Sequence, residues 1–272
     1  MTPRQRINYI TKWIKNYAKT ANVDTLVVGI SGGIDSSVVS TLCAETGLKT
    51  TVVQMPIRQN KTLDNRSSQQ ATWLLERYKN VTHINVDLTT IFNAFDKKLL
   101  PLCSNDDGDT TATSELAFAN SRARLRMMTL YQIAQCHGGI VVGTGNRVED
   151  FGVGFFTKYG DGGVDISPIG DCMKTEVWDM GREFGLPQEI IDAAPTDGLW
   201  DDGRTDEGQL GMSYPDLERM MALDFLQRCK AVDSDMPGSA KLSADDRKKL
   251  KRYQDIRARN MHKMLPIPVC KF

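Results

Sequence analysis

The sequence lacks the features that would suit a membrane, an oxidising compartment or a nucleic acid. None of its apolar runs approaches the length that crosses a bilayer. Its six cysteines are scattered and form no Cys-x-x-Cys pair, which favours a reducing compartment and argues against a zinc site or a redox pair. Lys and Arg total 34, as do Asp and Glu, so no global basic field could hold nucleic acid. We therefore expect a cytoplasmic protein that binds neither membranes nor nucleic acid.

The size and composition are those of an ordinary globular protein. The chain has 272 residues, of which 40% are hydrophobic and 25% are charged. A chain of this length can bury a sizeable core. We expect a single domain over residues 1–272, with a core sheet over about 24–170 and a helical part over about 174–272.

Strand and helix patterns alternate through the first part of the chain. The spacing of apolar residues predicts helices over 3–19, 36–46, 62–79 and 87–101, and strands over 24–30, 49–55 and 81–86. This alternation indicates an α/β fold, a doubly wound parallel sheet with helices on both faces. Further helices are expected to be appended at the C-terminal end.

The second half contains a strand, several helices and three loops. A long helix over 114–136 precedes a buried strand over 140–143, and helices follow over 174–184, 187–193, 215–230 and 243–262. The loops are predicted over 102–112, 144–168 and 195–213. Loops of such length inside a domain are usually functional or disordered. The aromatic residues within 144–168 argue against disorder there.

The first chemical motif is a glycine-rich loop between a strand and a helix. It follows the apolar run Thr25–Val28 and consists of Gly29, Ile30, Ser31, Gly32, Gly33, Ile34, Asp35 and Ser36. Glycines let the backbone approach an anion, and the amides that open the next helix point at it. Asp35 stands where a common phosphate loop carries lysine, and it can reach phosphate only through Mg²⁺. The alternative reading is an ordinary turn with an N-cap.

A second group of polar residues follows the strand over 140–143. It comprises Thr144 directly after the strand, Glu149, Lys158 and Asp165. A nucleotide site could use these side-chain types, although a solvated loop with turn glycines would contain them too. In doubly wound sheets, ligands lie at the carboxyl ends of the strands. The loop 31–35 and the segments 55–58 and 144–146 are therefore expected to border one pocket.

The motifs together resemble a known enzyme family. The segment Ser31–Ser36 is similar to the signature of N-type ATP pyrophosphatases, whose fold is adenine nucleotide alpha-hydrolase-like. The stretch Gly154–Gly163, with Asn120-x-x-Ala123-Arg124-x-Arg126 before it and His262-Lys263 after it, resembles ammonia-dependent NAD synthetases. The resemblance runs from the first helix to the C-terminus. It implies ligation of ammonia to deamido-NAD, with ATP as co-substrate and Mg²⁺ as cofactor.

The resemblance also implies roles for individual residues. The ATP-binding set would be Gly29, Ile30, Ser31, Gly32, Gly33, Ile34, Asp35, Ser36, Met55, Thr144, Lys174 and Thr196. Mg²⁺ would be held by Asp35 and Glu149, and catalysis would fall to Asp35 and Lys174. Deamido-NAD would contact Arg124, Lys158, Asp165, His262 and Lys263. A homodimer with the dinucleotide at the subunit interface is also implied.

The sequence departs from the family pattern at two places. Many relatives carry Asp-His after the strand-end threonine, where this chain has Gly145-Asn146. The segment Pro168–Lys174 also differs from the commoner form, but it keeps the lysine.

Two other functions remain open. One is an N-type ATP pyrophosphatase that modifies tRNA, although such an enzyme would need an RNA-binding appendage or a reactive cysteine pair. The other is a module that binds ATP without catalysis.

Overall fold

The computed structural model describes residues 1–58, 61–103, 112–196, 205–232 and 242–272. Most of the loop predicted over 102–112 lies outside these ranges, as do residues 197–204 of the loop predicted over 195–213. Within the described ranges, no helix is long and apolar enough to cross a membrane.

The described strands form one parallel sheet. They are β1 (Thr25–Ile30), β2 (Lys49–Gln54), β3 (Val81–Asn85) and β4 (Ile140–Val141), in the spatial order β3-β2-β1-β4. The chain moves outward from β1 to β3 and then returns to the other side of β1. The strand order therefore reverses between β1 and β4, and a ligand site is expected at that point. The predicted α/β fold is confirmed.

Ten α-helices surround and extend this sheet in the described residues. They are α1 (Pro3–Thr20), α2 (Ile34–Glu45), α3 (Lys61–Arg77), α4 (Thr89–Cys103), α5 (Ala112–Cys136), α6 (Lys174–Phe184), α7 (Gln188–Ile191), α8 (Asp206–Leu210), α9 (Tyr214–Val232) and α10 (Ala244–Met264). Side-chain N-caps mark where several of these helices begin. For example, the Ser243 side chain accepts a hydrogen bond from the backbone N–H of Asp246 at the start of α10.

Alternate residues of β1 face opposite helical layers. Leu26 and Val28 pack in a core with α1, α2, α3 and α6, whereas Val27 packs with α4 and α5 on the other face. This alternation follows from the two-residue period of a strand, and both faces of β1 are apolar because both are covered.

A separate apolar cluster joins the C-terminal helices to the segment after β4. Val148 and Val153 are fully buried there against residues of α9 and α10, including Leu217, Tyr253 and Ile256. The C-terminal helical part thus packs directly behind the residues that follow the sheet.

The structure differs from the sequence prediction in three segments of the second half of the chain. Residues Arg147–Val153 form a π-helix inside the segment predicted as a loop over 144–168. Its buried valines stand five residues apart, which suits the i→i+5 π-helix and gives no 3.6-residue period to detect. Strand β4 ends at Val141, because Gly143 donates its backbone N–H to Ile166 instead. Helix α8 occupies part of the loop predicted over 195–213, and it is too short to show a period.

Candidate active site

A cavity opens at the carboxyl ends of β1 and β4. Ser31 and Asp35 line it from the loop after β1, Met55 lines it after β2, and Thr144 and Gly145 line it after β4. The three segments expected to border one pocket therefore meet here. The strand order reverses at this point, which explains why segments far apart in sequence converge.

The glycine-rich loop has the backbone conformation that the sequence indicated. Gly32 has φ +74°, and a Cβ at this position would lie 2.6 Å from the backbone nitrogen of Ser67 in α3. Only glycine fits, because any side chain would meet both backbone strain and collision. Helix α2 begins at Ile34, two residues earlier than predicted, so Asp35 lies in its first turn.

Helix α3 holds this loop through one buried amide. The Gln70 side chain is buried, and its Oε1 accepts the backbone N–H of Gly32 at 3.2 Å. Its Nε2 donates to Ser40 Oγ in α2 at 2.8 Å. Gln70 thereby fixes the loop to two helices. No sequence pattern indicated this role, since a glutamine on a helix is usually a solvated residue.

Lys174 is the centre of the charged part of the site. It is the first residue of α6, its side chain is 2% exposed, and its Nζ donates to Asp35 Oδ2 at 2.5 Å and to Glu149 Oε1 at 2.9 Å. Three residues that the resemblance assigned to catalysis and metal binding are thus in direct contact. They come from α2, the π-helix and α6.

The site carries less positive charge than negative charge. Burial alone would lower the pKa of Lys174, but the carboxylates of Asp35 and Glu149 outweigh it and raise that pKa. For Asp35 the pKa is raised, because burial and the nearby Glu149 outweigh the attraction of Lys174. One ammonium between two carboxylates leaves a net negative charge, and a cation would be attracted there.

Asn146 connects Asp35 to the π-helix. Its side chain is fully buried, its Nδ2 donates to Asp35 Oδ1 at 3.1 Å, and its Oδ1 accepts the backbone N–H groups of Val148 and Glu149. It therefore caps the helix that carries Glu149 while holding the other carboxylate. This contact gives the second residue of the unusual Gly145-Asn146 pair a structural role.

Tyr214 supports Glu149 from the C-terminal part. This first residue of α9 is fully buried, and its hydroxyl contacts Glu149 Oε1 at 2.5 Å and Asp206 Oδ2 at 3.1 Å. Its ring packs edge-on against Trp178 and lies 4.8 Å from Lys174 Nζ. Sequence reasoning missed Tyr214, because it follows the predicted site by forty residues of separate helices and loops.

Gly145 makes room for the carboxyl group of Asp150. A Cβ at position 145 would lie 1.9 Å from Asp150 Oδ2, so no larger residue fits while Asp150 keeps its place. Asp150 lines the cavity, and its pKa is raised by burial and by the carboxylates of Glu149, Asp161 and Asp35. The position of the Asp150 carboxyl group therefore explains why the first residue of the Gly145-Asn146 pair is glycine.

This contact predicts the effect of Gly145→Ala. The new methyl group would push the Asp150 carboxyl group into the cavity, where it would occupy space that the phosphates of the ATP expected there would need. We expect kcat/KM for ATP to fall about tenfold, equivalent to about 1.4 kcal/mol. Steady-state kinetics would measure this. In an Asp150→Ala background the same substitution should have little effect, and equal losses in both backgrounds would contradict the steric explanation.

The residues assigned to deamido-NAD lie apart from this cavity. Arg124 Nε donates to Lys158 O at 3.3 Å, Lys158 Nζ donates to His262 O at 3.0 Å, and Lys263 Nζ donates to Phe156 O at 2.8 Å. Asp165 accepts the backbone N–H of Val141 and the hydroxyl of Tyr131. Among the described residues, none of the five assigned to deamido-NAD lines the cavity.

The residues assigned to ATP gather more closely. The cavity is lined by all members of that set except Gly32, namely Gly29, Ile30, Ser31, Gly33, Ile34, Asp35, Ser36, Met55, Thr144, Lys174 and Thr196. Gly32 instead packs against α3 beneath the loop.

Known proteins resemble this chain over nearly its whole length. A family model described as NAD synthase matches residues 6–266. An NH₃-dependent NAD⁺ synthetase of Carboxydothermus hydrogenoformans is 37% identical over an alignment of 233 residues, and the match covers 82% of this chain and 90% of that protein. An NMN synthetase structure from Francisella tularensis shares 29% identity and a TM-score of 0.81 over 100% of both chains. An NH₃-dependent NAD synthetase structure from Campylobacter jejuni, at 22% identity and a TM-score of 0.73 over 100% of both chains, supports the fold.

Proposed function

Because the chain belongs to the NAD synthase family, we propose that it joins ammonia to the nicotinate carboxyl group of deamido-NAD at the expense of ATP. The carboxylate attacks the α-phosphorus of ATP, so that pyrophosphate leaves and an acyl adenylate forms. Ammonia then attacks the acyl carbon, which gives the amide of NAD and releases AMP. The observation that carries this proposal is the contact of Lys174 with Asp35 and Glu149 beside the phosphate loop.

The chain's own residues supply binding and charge for these steps. The loop after β1 and the first turn of α2 would hold the phosphates through backbone amides. Lys174 would stabilise the negative charge that develops on the leaving pyrophosphate as the bond between the α- and β-phosphates of ATP breaks. Asn146 and Tyr214 would keep the two carboxylates in position through the hydrogen bonds that they make to Asp35 and Glu149.

Mg²⁺ fits the carboxylate pair. Asp35 and Glu149 touch the same ammonium, so they lie close enough to share a cation, and their combined charge exceeds that of Lys174. Oxygen ligands of this kind are those that Mg²⁺ prefers. These two residues would hold the ion, which supplies charge neutralisation at phosphate oxygens when bound.

A mononucleotide substrate is the second candidate. The structure from Francisella tularensis is named an NMN synthetase, and it matches this chain over 100% of both lengths at 29% identity. In addition, two of the side chains assigned to deamido-NAD, those of Lys158 and Lys263, donate hydrogen bonds to backbone oxygens of this chain. The reacting carboxyl group would be the same, and only the second nucleotide of the substrate would be missing.

One incubation series tests both candidates. The protein is given ATP, Mg²⁺ and ammonium with either deamido-NAD or nicotinate mononucleotide, and products are identified by mass spectrometry. The main proposal expects NAD and AMP, with a higher kcat/KM for the dinucleotide. A higher kcat/KM for the mononucleotide would transfer the assignment to the second candidate. Absence of AMP and of any amide product from both substrates would overturn the proposed chemistry.

We also propose that the protein is a homodimer whose dinucleotide site lies at the subunit interface. Family resemblance suggests this, and apolar side chains on α4 and α5 support it. Ile91 and Phe95 share one face of α4 and are 56% and 42% exposed, and Met128 of α5 is 60% exposed. Association would remove such surface from water. Sedimentation showing a stable and active monomer would refute the dimer.

The remaining proposals concern organisation and location. We propose that residues 1–272 work as one domain, since Tyr214 of the C-terminal part contacts Glu149 next to the sheet.

A cytoplasmic location is proposed because all six cysteines are free thiols, as a reducing compartment would keep them. Cell fractionation that found the protein outside the cytoplasm would overturn the second proposal.

A further inference from the structure

Arg66 lines the cavity from α3, a different helix from the one that carries Lys174. It lies in α3, where the helix crosses the glycine-rich loop, and its Cβ would be 2.7 Å from a Cβ added to Gly32. It lines the same cavity as Ser31, Gly33 and Asp35. The close approach that requires glycine at position 32 therefore also brings this arginine to the edge of the phosphate loop.

The guanidinium of Arg66 has no partner among the described residues. Its Nε is buried and makes no hydrogen bond, and no ion pair involves it. Burial lowers the pKa of Arg66, and no carboxylate offsets that effect. An arginine remains charged in proteins even so, because its ordinary pKa lies far above neutral pH. A partly buried charge without a partner costs free energy, and an anionic ligand would remove that cost.

The other cations of the cavity are already engaged. Lys174 contacts Asp35 and Glu149, and Arg126 donates its Nε–H to the backbone oxygen of Met55 at 3.0 Å. Both groups therefore have less capacity for a further anion. Among the described cations that line the cavity, Arg66 alone has a buried nitrogen donor that makes no hydrogen bond.

We propose that Arg66 binds the β- and γ-phosphates of ATP and then the departing pyrophosphate. This inference rests on the proposed function. The loop and the first turn of α2 form the anion-binding element, and Arg66 flanks that element. A planar guanidinium can form two parallel hydrogen bonds to phosphate oxygens, which a lysine cannot. Arg66 thus supplies, from α3, a cation that the loop itself lacks because Asp35 replaces the usual lysine.

Binding of inorganic pyrophosphate and of AMP tests this role separately from catalysis. Isothermal titration with Mg²⁺ present would compare wild type with Arg66→Gln, Arg66→Lys and Arg77→Gln. The last variant removes the same charge from the far end of α3. We expect Arg66→Gln to weaken pyrophosphate binding by about tenfold to a hundredfold, the effect of losing a charged hydrogen bond. AMP binding should change by less than about twofold, and Arg77→Gln should match wild type.

The outcomes distinguish the inference from the proposed function. Unchanged pyrophosphate affinity in Arg66→Gln would overturn the inference, as would equal losses for pyrophosphate and AMP. Arg66→Lys keeps the charge without the planar fork and should bind pyrophosphate several-fold more weakly than wild type. If Arg66→Gln does not fold, Arg66→Lys is the variant that tests the inference. Wild-type affinity of Arg66→Lys for pyrophosphate would then contradict the inference. Pyrophosphate binding that depends on Arg66, in a protein that makes no amide product, would support the inference and refute the proposed function.

Discussion

Replacing Lys174 by methionine should reduce kcat by about a thousandfold, because the substitution removes the only ammonium that contacts Asp35 and Glu149 in the described structure. The two carboxylates would then repel each other and the phosphates. Leaving buried charges without their partner should also lower the free energy of unfolding by about 3–5 kcal/mol. Steady-state kinetics would measure the first effect, and urea denaturation would measure the second.

Two comparisons separate the role of this charge from general damage. Lys49→Met removes an exposed lysine whose Nζ lies 2.8 Å from Asp24 on the surface, and it should leave the free energy of unfolding nearly unchanged. High Mg²⁺ should restore part of the stability of Lys174→Met, since a divalent cation can take the place of the ammonium between the carboxylates. Wild-type kcat in Lys174→Met would contradict its catalytic role.

The sheet and the phosphate loop could be predicted from the sequence because their signals are local. Strand β1 is a short apolar run, β2 and β3 are short segments with β-branched residues, and the loop is a contiguous segment between β1 and α2. The convergence of the segments after β1, β2 and β4 could also be predicted, since the carboxyl ends of parallel strands share one edge of the sheet. These predictions needed only short-range patterns and one rule of topology.

The supporting residues could not be predicted, because their roles depend on contacts between distant segments. Gln70 reaches back to Gly32 across thirty-eight positions, and Tyr214 contacts Glu149 across sixty-five. Nothing in the local sequence separates these side chains from ordinary helix residues. The π-helix was missed for another reason, since its buried Val148 and Val153 follow a five-residue spacing that neither helix nor strand patterns describe.

The departure at Gly145-Asn146 shows how a local anomaly becomes intelligible only in three dimensions. In sequence, the pair stands where the family resemblance leads to an expectation of Asp-His. In the structure, Asp150 of the π-helix places a carboxyl group against Gly145, and Asn146 binds both Asp35 and the start of that helix. The carboxyl group of Asp150 therefore occupies the space that a side chain at position 145 would need.

Asp35→Asn should reduce AMP formation by at least about a thousandfold, equivalent to about 4 kcal/mol of transition-state stabilisation. The amide has nearly the same shape as the carboxylate, but it lacks the charge that would hold Mg²⁺ beside the phosphates. Lys174 would lose one of its two acidic contacts and keep Glu149. Rapid-quench assays of AMP and pyrophosphate from labelled ATP would measure the loss.

The dependence on metal distinguishes this explanation from a simple loss of structure. Asp35→Asn should need a much higher Mg²⁺ concentration for whatever activity remains, and its cooperative unfolding should be retained. Asp24→Asn offers a matched control, because it removes an exposed carboxylate near the start of β1 and should leave the Mg²⁺ requirement unchanged. A module that only binds ATP has no AMP production to lose. Equal Mg²⁺ requirements in Asp35→Asn and wild type would mean that the aspartate in the phosphate loop acts on Lys174 alone, and not through a metal ion.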